Sequence, residues 1–79
     1  MPHFKVYIFK PFVESKPRLT QELELIGGYI SWQDYSYEVV EAARPCKSSA
    51  GVWVENHGRY IGGFHELLKY FDKEGLLLI

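Results

Sequence analysis

Residues 52–71 read VWVENHGRYIGGFHELLKYF, and this stretch decides the fold. Val52 to Glu55 and Arg59 to Ile61 are short runs of β-branched and aromatic residues. The Asn56-His57-Gly58 connection between them contains a glycine and is short enough to predict a β-hairpin. Gly62-Gly63 punctuates the second run, and Phe64, Leu67, Leu68 and Phe71 then recur on one face of a helix. Gly75 stops that helix before the apolar tail LLLI.

Working outward, His3 to Phe9 (HFKVYIF) predicts a first strand buried on at least one face. Lys10 to Lys16 (KPFVESK) breaks it, with Pro11 and Pro17 bracketing a loop. Pro17 suits the first position of a helix with Ser15 as cap, and Leu19, Leu23 and Ile26 give a helical stripe over 17–26. Gly27-Gly28 ends that helix. Tyr29 to Trp32 (YISW) is expected as a second strand, Asp34 as the cap of a helix over 34–43, and RPCKSSA (44–50) as a loop. The expected order is therefore β-α-β-α-β-β-α. It implies an α/β domain with a mixed four-stranded sheet and three helices on its two faces, the first two strands being parallel.

The 79 residues make one domain, which buries about 60% of its unfolded surface at this size. A composition 47% hydrophobic and 16% aromatic excludes a disordered segment. Nine Lys and Arg against ten Asp and Glu are interspersed with no basic stripe, so no nucleic-acid partner is expected. The lone cysteine, Cys46, excludes an internal disulfide and with it a secreted disulfide scaffold. No apolar run suggests a leader or a membrane span, so a reducing cytoplasmic setting is the expectation. His3, His57 and His65 do not fall at metal-ligand spacings with Cys46 or one another, so no metal site is expected.

The element order is that of the thioredoxin fold in its shortest form, and VWVENHGRYIGGFHELLKYFDKEGLL resembles the end of a glutaredoxin. Short phage-type glutaredoxins come closest, with a phenylalanine after the paired glycines as in Gly62-Gly63-Phe64. The resemblance covers the whole chain in element order and is specific in residues over about 52–75. It implies that Gly62, Gly63, Phe64 and His65 form a turn where the γ-glutamyl carboxylate of glutathione would meet backbone N–H groups at a helix start. His65 stands where the family has an acidic side chain, with Glu66 after it.

The resemblance also implies a reactive cysteine after the first strand. The matching segment, KPFVESKPRL, has none, and Ser15 is far too weak an acid to replace a thiolate. A cis-proline expected before the third strand falls at or near Ala50, and a non-proline cis bond costs about 2.5–4 kcal/mol, so a reshaped loop is expected there. The expectation is thus a redox-degenerate glutaredoxin-like protein that binds a host or viral protein and needs no cofactor. Its expected docking residues are Phe12, Lys16, Arg18, Ser48, Ser49 and Ala50, together with the glycine turn. Trp32, Tyr35 and Tyr37 belong to an aromatic segment too dense for a small core and are further candidates. The alternative is a single-thiol oxidoreductase using Cys46 with glutathione, Arg44 and Lys47 being the nearby cations. A self-associating structural subunit is a third class, kept open by the aromatics and the LLLI tail.

Overall fold

A computed structural model describes residues 3–45 and 51–75. The elements are β1 (His3–Ile8), α1 (Lys10–Ser15), α2 (Pro17–Trp32), β2 (Ser36–Glu41), β3 (Val52–Asn56), β4 (Arg59–Gly62) and α3 (Phe64–Lys73). The strands form one mixed sheet in the order β2-β1-β3-β4. β1 runs parallel to β2, with Val6 beside Val39, and antiparallel to β3, with Val6 beside Val54. β3 and β4 form the hairpin expected from the sequence, joined by His57 and Gly58, both at positive φ. The α/β class, the mixed four-stranded sheet and the number of helices are those expected, but the order is β-α-α-β-β-β-α and not β-α-β-α-β-β-α.

The elements between residues 10 and 43 are placed differently from the sequence reading. KPFVESK is no loop: Lys10–Ser15 makes one short helix, with Pro11 in its first turn. Ser15 does not cap α2, because its hydroxyl donates to the Phe12 carbonyl at 3.1 Å. Pro17 does open α2, where its missing N–H costs nothing.

That helix passes through Gly27-Gly28 and takes in Tyr29–Trp32, which is not a strand. The apolar stripe Leu19, Leu23, Ile26 continues to Ile30, and Ile30 is fully buried. Burying such a side chain is worth about 1.5–3 kcal/mol, and Ile26 adds as much again. Each helical glycine costs about 1 kcal/mol, so burial wins. The helix ends at Asp34, whose φ of 66° is left-handed. The Asp34 amide donates to Ser31 O (2.9 Å) and the Tyr35 amide to Ile30 O (3.1 Å), the paired bonds of a Schellman stop. Asp34 therefore ends one helix and does not begin another. Residues 36–41, expected within a helix over 34–43, are β2, whose backbone pairs with β1 along its length. Among the described residues no helix lies between β2 and β3.

Phe4 and Val6 of β1 and Val52 and Val54 of β3 point to the same face of the sheet. There they join Leu19, Ile26 and Ile30 of α2 and Leu67 and Phe71 of α3 in a single core. The Phe4 and Phe71 rings stack at 5.4 Å, with Tyr35 edge-on to both. Phe12 and Val13 of α1 pack on the rim of the same core. All three helices thus serve one face, where the sequence suggested two. On the other face Tyr7 stacks flat on Trp53, ring centroids 5.6 Å apart.

Candidate functional site

Three of the residues expected to dock a partner, Phe12, Lys16 and Arg18, lie where α1 meets α2. Phe9 turns the chain out of β1, and its ring meets that of Phe12 edge-on at 4.8 Å. Lys16 lies over the Phe12 ring, its Nζ 5.5 Å from the centroid, a distance at which a cation is attracted to the π face. Lys10, Lys16 and Arg18 are exposed, and the only carboxylate among residues 10–18 is Glu14. The short helix α1 and the start of α2, separated at Lys16 and Pro17, carry these cations. No side chain caps the start of α2 there; Pro17 has no N–H and the Leu19 amide turns back to the Lys16 carbonyl at 2.9 Å, so what the helix end adds to the lysines is its dipole.

The chain entering β3 closes the inner side of this corner. The Phe9 amide donates to the Gly51 carbonyl at 2.8 Å. A Cβ on Gly51 would lie 2.9 Å from Phe12 Cβ and 3.1 Å from Leu19 Cδ1. Where the resemblance implies a proline beside a thiol, Gly51 packs directly on Phe12, and no described peptide bond is cis. Cys46, Ser48, Ser49 and Ala50 lie outside the described residues.

The glycine turn forms where expected, but its donors are in use. Gly63 is the cap position of α3, and its amide donates to Glu66 Oε1 at 2.9 Å. The Phe64 amide donates to Glu22 Oε2 at 3.1 Å, reaching across from α2. The two carboxylates come close only because neither glycine has a side chain: a Cβ on Gly62 would meet Glu66 Cβ at 2.7 Å, and one on Gly63 would meet Glu22 Oε2 at 2.5 Å. Gly62 also sits at φ 129°, a conformation that side-chain-bearing residues rarely adopt. A glutathione carboxylate would have to displace Glu22 or Glu66, so the turn as it stands does not fit that ligand. Glu22 was not singled out in the sequence. Its position one turn after Arg18 would have marked it only once the packing of α2 beside α3 was known.

The remaining expected residues separate. His65 is exposed on α3, and Phe64 is half-buried, its ring edge-on to Tyr29 at 6.0 Å. Tyr35 is half-buried, its ring edge-on to Phe4 and Phe71. Tyr37 lies over Gly27 of α2 and keeps a partly exposed ring, whereas Trp32 projects from α2 into solvent. A shallow groove of about 270 Å³ between β4 and α3, lined by Arg59, Tyr60, Lys69, Tyr70 and Lys73 among others, contains none of the expected residues. Its residues are scattered in sequence and share no motif.

Among the described residues no group of three or more His, Cys, Asp or Glu side chains is placed to hold a metal ion, and no helix is long and apolar enough to cross a membrane. Comparison with known proteins gives no matching family model, no matching curated protein and no matching solved structure.

Proposed function

We propose that this chain is a redox-degenerate glutaredoxin-like protein that works by binding, docking an acidic segment of a host or viral protein on the α1–α2 corner. The observation that carries this reading is the corner itself. Lys16 lies over Phe12 at a helix start that no side chain caps, with Lys10 and Arg18 exposed on the same two helices, in a chain whose net charge is −1. That places local positive charge and an aromatic surface where the resemblance would put a nucleophile. An acidic peptide meets three cations and the helix dipole, and an apolar residue beside its carboxylates finds the Phe12–Lys16 pair.

The parallel β1–β2 pair and the β3–β4 hairpin running into α3 support the glutaredoxin-like part of the reading. The lack of a helix between β2 and β3 among the described residues departs from it. The filled glycine turn argues against glutathione as a ligand, and with it against the alternative that Cys46 works as a glutathione-dependent thiol. Phage origin rests on the Gly-Gly-Phe turn, and implies a host cytoplasm as the place of action.

The test is binding of acidic peptides, read by the backbone amide shifts of the protein. Residues 10–19 should shift, and Lys16→Glu together with Arg18→Glu should abolish binding while the fold is kept. Binding should also weaken steeply with salt, because the contacts are exposed charges. Shifts confined to other surfaces, or binding indifferent to both charge reversals, would remove the corner from the account.

A further inference from the structure

Helix α2 carries a second surface that the docking corner does not explain. Trp32 is 67% exposed and Leu25 55%, the two most exposed large hydrophobic side chains described. They are seven residues apart, and Arg18, also exposed, is seven residues before Leu25. Seven residues is two turns, so Arg18, Leu25 and Trp32 form one straight stripe along the outer side of α2, each about 10 Å from the next. Gly28 lies on the same stripe between Leu25 and Trp32. A Cβ there would have nothing within 4 Å, so no contact inside this chain requires a glycine. Gly27 beside it is different, being pressed against Tyr37.

This stripe is complementary to itself when reversed. We infer that α2 pairs antiparallel with α2 of a second copy about a two-fold axis through Leu25, making the protein a homodimer. In that register each residue faces the one equally far on the other side of Leu25. The Leu25 side chains meet on the axis. Arg18 of each copy lies against Trp32 of the other, a cation on an aromatic face, twice per dimer. Gly28, with no side chain, leaves room on one flank of the seam for the second helix to approach. The parallel arrangement sets Arg18 against Arg18 and leaves both indoles without a cation, so charge selects the antiparallel one. A 3.5-residue seam suits helices crossing at a small angle.

The seam is short, which places it at the low end of interface sizes, below about 1,200 Å² in total. The dimer is accordingly expected to dissociate in the micromolar range. This inference does not depend on the proposed docking function, although Arg18 lies at the border of both surfaces. Lys16→Glu separates them, since it weakens the acidic-peptide site and leaves the seam intact.

Sedimentation equilibrium over a concentration series tests the pairing, with far-UV circular dichroism confirming that each variant is folded. The wild type and Lys16→Glu should show the same monomer–dimer equilibrium. Leu25→Glu and Trp32→Ala should each weaken it at least tenfold, and Gly28→Leu should do so by filling the notch. Trp32 emission should move to shorter wavelength as the dimer forms, while Trp53, already stacked on Tyr7, contributes a constant background. A wild type that stays monomeric to millimolar concentration overturns the inference. So does a dimer that survives Leu25→Glu and Trp32→Ala, which would indicate association through another surface such as the exposed edge of β2.

Discussion

Replacing each of the paired glycines in α2 with alanine separates two physical roles that the sequence presents as one. If α2 runs unbroken through Gly27-Gly28, Gly28→Ala adds a methyl group to an exposed helix interior with nothing within 4 Å. The substitution then gains helix propensity alone, about 0.8–1 kcal/mol. For a domain of this size that raises the midpoint of thermal unfolding by roughly 4–8 °C. Gly27→Ala gains the same propensity, but its Cβ would lie 2.5 Å from Tyr37 Oη and 2.8 Å from Cζ. The Tyr37 ring must swing off the helix, and overpacking of this kind costs about 1–3 kcal/mol, so the net effect is neutral to destabilising. In a Tyr37→Ser background the obstacle is gone, and Gly27→Ala should then stabilise as Gly28→Ala does. The assay is denaturant and thermal unfolding at a concentration where the monomer dominates, arranged as a double-mutant cycle. A Gly28→Ala variant less stable than wild type would refute the reasoning, because it would mean that Gly28 ends a helix in a left-handed conformation. Absence of coupling between positions 27 and 37 would refute the packing of α2 on β2.

Removing the Glu22 carboxylate with Glu22→Ala should cost about 1 kcal/mol through the lost hydrogen bond to the Phe64 amide, measured by urea unfolding, and should raise the hydrogen-exchange rate of that amide. Gly62→Ala should destabilise by more than its neighbours do, by about 1–3 kcal/mol, since it meets both the φ of 129° and the Glu66 side chain; an unchanged unfolding midpoint would deny that geometry. Phe71→Ala removes the ring against which Phe4, Tyr29 and Tyr35 pack, and should cost about 3–5 kcal/mol, enough to leave much of the protein unfolded by circular dichroism at room temperature.

The second half of the molecule was legible in the sequence because local signals and tertiary structure agree there. The hairpin residues, the glycine pair and the amphipathic face of α3 each favour the structure that forms. Between residues 10 and 43 they disagree. Gly27-Gly28 and the β-prone residues YISW spoke for a helix end and a strand. The stripe continuing to Ile30, and the packing of Tyr37 on Gly27, decided otherwise, and only three-dimensional contact reveals the second of these. Asp34 illustrates the same limit: its type suits a helix start and a left-handed stop about equally, so it could not tell the two apart. Of the candidate site, Phe12, Lys16 and Arg18 were readable as a cationic turn after the first strand. Glu22, which fills the glycine turn from another helix, depends on how α2 lies against α3 and carries no motif.

The glycine turn is held by the protein's own carboxylates, Glu66 on the Gly63 amide and Glu22 on the Phe64 amide. An amide-resolved titration of the wild type with reduced glutathione tests it most directly. The Gly63 and Phe64 amides should stay in place to millimolar ligand, and begin to respond only when Glu22→Ala and Glu66→Ala clear the seat. Saturable shifts of those two amides in the wild type would show that glutathione takes the turn in spite of Glu22 and Glu66.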